Sequence, residues 1–241
     1  MSVLVLAPCY GPPGTEAIAR RLIHSASHFG FPEPYLYGLG RLSPGSPHGG
    51  DMQGTWVIEE LQHNPSRADI VIACDCADVL FTGPLDEMLE KFKSFNSGFV
   101  IGADKDEHPR DAELCYGMRK LHIEAGGLYG SVNIGYWIAD RAYALEILQK
   151  SIALYRYNIP DSLDSPQAWL PYGLVRGTIQ FELDRDARIF QPCSAGDRRS
   201  VEVVDGRLHN HVTDTWPSMV HFNGSGGNLD AYDKMYRELI S

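Results

Sequence analysis

Several things are scarce in this sequence, and each absence narrows what the chain can be. No apolar run approaches the roughly 20 residues that a membrane-spanning helix needs, so no membrane partner is expected. The amino-terminal stretch from Met1 to Ala7 lacks the basic flank and the length of a signal peptide and reads as a first strand. The five cysteines are scattered and odd in number, and they form neither a disulfide framework nor a C-x-x-C pair. Cys74 and Cys76 are also too close for a good metal motif. A reducing, cytoplasmic setting is the expectation. Basic charge is short as well: 21 Lys and Arg stand against 31 Asp and Glu, a net charge of −10. That balance argues against a protein that blankets phosphate with cations, although Arg198-Arg199 offers a local basic strip. Repeats and low-complexity tracts are missing too.

What is present is an ordinary soluble composition, 44% hydrophobic and 22% charged over 241 residues. One domain over 1–241 is expected. Apolar runs of strand length alternate with helical periodicity. Strands are expected at Val3–Leu6, Tyr35–Tyr37, Ile70–Cys74, Phe99–Ile101 and Ser131–Ala139. Helices are expected from Thr15, as cap, to about Phe29, over Gln53–Gln62, from Pro84 through Phe95, and from Asp140 to about Tyr155. Pro8 to Gly14 reads as a loop, and Gly38–Gly50, dense in Gly, Ser and Pro, as a long mobile one suited to a lid. Asp104 to Gly127 reads as a loop with a helical turn or two. The last third changes character. Short strands at Ile179–Leu183 and Ala187–Gln191 precede a hairpin on Asp205-Gly206, a strand at Met219–Phe222 and a closing helix over Leu229–Ile240. The fold class is therefore α/β: a mostly parallel, Rossmann-like sheet flanked by helices, with a small antiparallel C-terminal addition.

The strand at Ile70–Cys74 ends on Asp75, and Asp78 follows three residues later. Open α/β sheets bind ligands beyond the carboxyl ends of their strands. Two carboxylates there suit a hard divalent cation that also holds phosphate oxygens. An Asp after a strand also caps turns, so the pair needs a third ligand and a nucleotide pocket to carry weight. Three further stretches bear on this. Asn133-Ile134-Gly135 lies at the start of a strand, where an amide and a bare backbone can approach a ligand. Asp161, Asp164 and Gln167 gather at a loop-to-helix junction. His221 ends a strand and is followed by Asn223-Gly224-Ser225-Gly226-Gly227, whose backbone N–H groups suit phosphate oxygens.

Taken in order, these residues resemble the glycosyltransferase domain of the procollagen lysyl hydroxylases. The likeness runs over most of the chain: Asp75 to Phe81, Pro84 through Lys91-Phe92, Tyr129 to Gly135, Ile179 to Gln191, and His221 to Gly224. It implies a GT-A-type fold, a UDP-sugar donor and Mn²⁺ (or Mg²⁺) as cofactor. It implies Asp75, Asp78 and His221 as metal ligands, with Asn223 and Gly224 near the diphosphate. The chain departs from the family at several places. Ala77 stands where an aromatic stacks on uracil, Gly227 where a lysine meets the diphosphate, and Gln53-Gly54 where the family has Gln-Lys. The acidic run near the acceptor is reduced to Asp164-Ser165-Pro166-Gln167.

The expected chemistry is transfer of a hexose from a UDP-sugar to a hydroxyl on a protein side chain or a small molecule. A cation on the leaving diphosphate would act as Lewis acid. Asp164 and Gln167 are the candidates for facing donor sugar and acceptor, and a base must lie within hydrogen-bond reach of the hydroxyl; Asp164 reads equally well as an N-cap ahead of Pro166. Asn133 and Gly135 join Asn223 and Gly224 as candidate donor-binding residues. Trp169 is expected to be partly exposed and Trp137 to be core. Other classes stay open: a hydroxymethylated DNA base as acceptor, a non-catalytic nucleotide-sugar binding module, or a metal-dependent phosphohydrolase or nucleotidyltransferase using Asp104 and Asp106.

Overall fold

The strand Ile70–Cys74 (β3) is buried at all five positions, because it has neighbours on both edges and packing on both faces. β1 (Val3–Gly11) pairs with it in parallel, Val3 opposite Ile70 and Leu6 opposite Ala73. β6 (Ser131–Asp140) pairs with it on the other side, antiparallel, Cys74 opposite Tyr136. A strand so enclosed needs apolar residues at every position, not at alternate ones. In this computed structural model residues 1–11, 14–40, 49–107, 111–158, 166–194, 197–223 and 229–241 are described.

β2 (Tyr35–Leu39), β4 (Val79–Phe81), β5 (Phe99–Asp104), β7 (Glu182–Asp184) and β8 (Phe190–Pro192) follow in the chain. Six strands form the main sheet in the order β2-β1-β3-β6-β5-β7. All run the same way except β6, which lies antiparallel to both β3 and β5. The mostly parallel sheet expected from the sequence is therefore present, with one reversed member. That reversal matters for the site. It sets the first residues of β6 beside the last residues of β5, Gly102 opposite Asn133 and Asp104 opposite Ser131, at the edge of the sheet where β3 also ends. The register of β6 against β5 slips between Ile101 and Gly102, so Ile134, Gly135 and Tyr136 bulge at that edge.

β9 (Val201–Val204) and β10 (Arg207–Asn210) form the expected hairpin. Asp205 (φ 50°) and Gly206 (φ 73°) supply the two left-handed residues of its turn. A three-stranded sheet joins segments distant in sequence, with β11 (Met219–His221) between β4 and β8, antiparallel to the first and parallel to the second. The apolar tail after Asp78 is thus a strand in its own right.

The helices are α1 (Arg20–His28), α2 (Gly49–His63), α3 (Leu85–Lys93), α4 (Ala112–Ala125), α5 (Arg141–Asn158), α6 (Pro166–Val175) and α7 (Leu229–Ile240). Two apolar clusters sandwich the main sheet. Along β3, Ile70, Ile72 and Cys74 face the cluster with Leu22, Met88, Phe92 and Tyr232, while Val71 and Ala73 face Trp56, Leu61, Ile147 and Leu170. No described helix is long and apolar enough to cross a membrane.

Some elements differ from their expectation. α4 occupies the stretch read as loop, 14 residues long, with the Asp111 carboxylate accepting the N–H of Leu114 and with Leu114 and Met118 buried. Gly117 lies in its middle. A Cβ there would lie 2.3 Å from Val175 Cγ1, so the glycine admits α6 against α4. Thr15 does not cap α1: a 3₁₀ turn, Thr15–Ala19, comes first, and its capping residue is Gly14. β1 continues through Gly11, past the predicted end at Leu6. Of the expected lid Gly38–Gly50, residues 41–48 lie outside the described residues, while Gly38 and Leu39 belong to β2 and Gly49 and Gly50 to α2.

Candidate metal and donor site

One pairing across the chain assembles the site. β11 is held antiparallel to β4 with His221 opposite Val79, and the N–H of Phe222 donates to the carbonyl of Asp78 at 2.9 Å. His221 therefore arrives beside the turn that β3 feeds. Its Nε2 lies 3.4 Å from Asp75 Oδ2 and 3.4 Å from Asp78 Oδ2. One ligand atom from each of Asp75, Asp78 and His221 falls within 4.8 Å of the other two, a cluster able to hold a metal ion. The three predicted ligands are brought together.

The backbone of the turn is fixed from the large sheet, where the N–H of Asp75 donates to the carbonyl of Gly135 at 2.8 Å. Gly135 has a second role. A Cβ on it would sit 2.2 Å from His221 Cε1 and 2.9 Å from Asp75 Oδ2. The sequence suggested a bare backbone facing a ligand; the glycine makes room for the imidazole and the carboxylate. Tyr136 closes the other side of the ring, edge-on at 5.2 Å between centroids.

Charge is concentrated here. The protein around the Asp75 carboxyl desolvates it and, with the Asp78 charge, pushes it up to about 6 against the pull of His221. With 46% of its side-chain surface open to water, solvent tempers that push. His221 is buried, which favours its neutral form. The hydrogen bond that the ring donates to Asp78 and the charges of Asp75, Asp78 and Asp104 outweigh the burial and hold the imidazole above its usual value. Carboxylates and imidazole crowded this way are a cation-binding donor set.

Asn133 and Asn223 both reach Asp104, the buried last residue of β5. Asn133 Nδ2 donates to Asp104 Oδ2 at 3.4 Å, and Asn223 Nδ2 donates to the same oxygen. Asn133 Oδ1 accepts the N–H of Gly135 at 3.0 Å and lies 3.2 Å from His221 Nδ1. Asp104 is the residue beside this site that sequence reasoning read differently, as a carboxylate for the phosphohydrolase reading. The available signal was its position: like Asp75, it ends an apolar strand, and the two strands end at one edge of the sheet. Gln167, at the start of α6, straddles β6: its Nε2 donates to the carbonyl of Val132, and its Oε1 accepts the N–H of Ile134 at 3.2 Å. Asp164 and Gly224 lie outside the described residues. Trp169, expected to be partly exposed, is buried to 2%, and Trp137 is core as expected. Trp169 packs with Ala168 and Ile152 because α6 buries that face against α5.

A cavity of about 80 Å³ lies beside Asp75, lined by Tyr37, Ile134, Trp137 and Leu170, smaller than the several hundred Å³ of a nucleotide pocket.

The sequence model of the PLOD GT domain matches residues 13–233. The chain belongs to this family. Within it, the human multifunctional procollagen lysine hydroxylase and glycosyltransferase LH3 is 27% identical over 212 residues, 85% of this chain and 28% of the relative. Mouse procollagen-lysine,2-oxoglutarate 5-dioxygenase 2 is 28% identical over 215 residues, again 85% of this chain and 28% of the relative. The chain thus spans about 28% of the length of these curated relatives. Among solved structures, a glycosyltransferase involved in the glycosylation of the major capsid of PBCV-1 superposes with a TM-score of 0.58 at 15% identity, covering 98% of this chain and 100% of that one. That likeness carries the fold, which is GT-A-like. As a PLOD GT domain the chain is a glycosyltransferase, and the phosphohydrolase and binding-module readings fall away. Asp104 is consistent with that outcome, since its carboxylate is turned onto two asparagine amides.

Proposed function

We propose that this domain moves a hexose from a UDP-sugar to an acceptor hydroxyl, on a protein side chain or a small molecule, at a divalent-cation site formed by Asp75, Asp78 and His221. The observation that carries the reading is the placement of His221 Nε2 at 3.4 Å from one oxygen of each aspartate. The residues present fit the cation. Two hard oxygen donors and one imidazole nitrogen suit Mn²⁺ or Mg²⁺, and Gly135, lacking a side chain, lets the imidazole and the Asp75 carboxylate stand together. When bound, such an ion supplies Lewis-acid stabilisation of the charge that develops on a leaving diphosphate.

The remaining work belongs to the chain. Asp75 and Asp78 offset part of the cation's charge. The main-chain bond from Asp75 to Gly135 keeps the first carboxylate at the mouth of the sheet. Asn223, anchored on Asp104, directs the chain leaving β11 toward the same edge, and with Gly224 it is assigned to the diphosphate. Asn133 and Gly135 shape the donor side of the site through their contacts with His221. Gln167 ties the start of α6 to β6 with both ends of its amide. The assignment of Asp164 as base facing the acceptor hydroxyl, with Gln167 beside it, rests on the family resemblance and on its place three residues before Gln167.

The test is direct. The protein is incubated with Mn²⁺ and a panel of UDP-sugars, with and without hydroxylysine peptides and free polyols, and UDP release is followed. Release that requires both Mn²⁺ and one sugar nucleotide supports the proposal; release indifferent to metal contradicts it.

A further inference from the structure

We infer that Asn133 is a positioning residue that fixes the tautomer of His221, with Asp104 orienting Asn133. The inference deepens the metal-site reading above and rests on it for its purpose, though its geometry stands alone. A backbone N–H can only donate, so the Asn133 atom that meets the N–H of Gly135 at 3.0 Å is the carbonyl oxygen. The other end of the amide, its NH₂, then faces Asp104 Oδ2 at 3.4 Å, and the buried carboxylate accepts it. Two partners of opposite kind therefore lock the amide in one orientation.

The same carbonyl oxygen lies 3.2 Å from His221 Nδ1. An amide oxygen has no hydrogen to give, so Nδ1 must carry the proton. In a neutral imidazole with Nδ1 protonated, the lone pair sits on Nε2, the atom that faces both aspartates at 3.4 Å. A cation held at Nε2 would stand where its proton would otherwise sit, while the other proton would remain on Nδ1, donated to Asn133 Oδ1. Histidine ligands in general have the second nitrogen held this way, and removing the holder weakens metal binding about 10–100-fold. Here an amide holds the ring, itself held by a carboxylate from the neighbouring strand. The arrangement depends on β6 running antiparallel to β5, which sets Asn133 opposite Gly102, two residues from Asp104.

The experiment uses protein labelled with ¹⁵N at histidine, observed by NMR without metal at alkaline pH and then with Zn²⁺ as a diamagnetic probe. Mn²⁺ affinity is measured in parallel by calorimetry without nucleotide. Wild type is expected to show His221 protonated at Nδ1 in both states, with Nε2 shifting on Zn²⁺ addition. Asn133→Ala is expected to lose the Nδ1–H signal in the metal-free state and to bind Mn²⁺ about 10–100-fold more weakly. The paired variant Asn133→Asp with Asp104→Asn, which keeps an acceptor for Nδ1 and reverses the donor and acceptor between the two side chains without facing two carboxylates, is expected to restore the Nδ1–H signal, a rescue that a merely structural role would not give. Wild type with Nε2 protonated at alkaline pH, or Asn133→Ala with an unchanged spectrum and affinity, overturns the inference. Wild type that keeps Nδ1–H yet binds no metal upholds the role of Asn133 and contradicts the metal reading alone.

Discussion

In the six-stranded sheet, the strands bordering the site are five, six and ten residues long, β3, β5 and β6 in turn. In the three-stranded sheet, every strand is three residues long. The first contributes Asp75 and Asp104, at or beside the ends of β3 and β5, and Asn133 and Gly135, in the first half of β6, all from strands whose bodies are buried in the core. The second contributes Asp78 and His221, and its short strands depend on contacts made around them. Asp184 is the main joint between the two. It ends β7 of the large sheet, is fully buried, and its carboxylate accepts the N–H groups of Arg188, Ile189 and Phe190 at 2.8, 2.6 and 2.7 Å. β8 of the small sheet begins at Phe190. Within the small sheet, the Thr82 hydroxyl and the N–H of Ser218 donate to the carbonyls of Pro217 and Ile189, tying the flanks of its strands to one another. One half of the site is thus built into the core, and the other half is pinned to it.

The sharpest way to break this comparison is to remove a ligand from the pinned half. Asp78→Ala is expected to reduce UDP-sugar turnover by at least about 100-fold, given what a bound metal contributes to charge stabilisation. The thermal unfolding temperature should stay near wild type, because the Asp78 side chain is partly exposed and the ladder bond to Phe222 is made by its main-chain carbonyl, which alanine keeps. Asp184→Ala comes next. It strands two buried N–H donors and a partly buried one, which should cost about 3 kcal/mol in urea unfolding. Mn²⁺ affinity should weaken with it, because the small sheet loses its joint. An equally destabilising truncation in the core packed against the large sheet, away from the site, Ile147→Ala on α5 for example, should leave Mn²⁺ affinity unchanged. If both variants weaken the metal alike, the distinction between the sheets is wrong.

Gly135→Ala probes the seam between the halves. A methyl 2.2 Å from His221 Cε1 has nowhere to go without moving the ring, so overpacking of about 1–3 kcal/mol should accompany weaker metal binding. A variant as stable as wild type, with wild-type affinity, would show that the ring yields freely. The smallest effect concerns pH. Burial pushes the Asp184 carboxyl above the usual carboxylate range, against the pull of the N–H groups of Phe190, Ile189 and Arg188 and the charge of Arg188. Its folded value exceeds its unfolded one, so its contribution to stability is most favourable below the unfolded value and is lost as pH rises through the folded one. The stability of wild type relative to Asp184→Asn should therefore fall as pH rises across that interval, read from urea midpoints. A difference that is flat or grows with pH contradicts the assignment.

The local features of this architecture were legible in the sequence, and those set by distant pairing were less so. β3 and the aspartates after it announce themselves through a continuous apolar run ending on a carboxylate. The hairpin does so through Asp205-Gly206, whose positive φ angles a type I′ turn requires. His221 was marked by the glycine-rich turn after its strand and by the family resemblance. α4 was misread because Gly117 answers to Val175 on another helix, a packing demand that local periodicity does not carry. The reversal of β6 follows no local rule either, since a buried strand is apolar whichever way it runs. Asp104 was hidden for a related reason: its partners Asn133 and Asn223 lie 29 and 119 residues away in sequence. Trp169 went wrong because α6 buries that face against α5, which a residue beside a candidate catalytic glutamine does not reveal.

The central claim is that strands from two sheets meet to form a divalent-cation site that serves a UDP-sugar. Calorimetric titration of UDP into wild type and His221→Ala, each with and without Mn²⁺, tests it most directly. In wild type, Mn²⁺ should tighten UDP binding, and in His221→Ala that gain should disappear while the fold persists. UDP affinity in wild type that is the same with and without Mn²⁺ would contradict the claim.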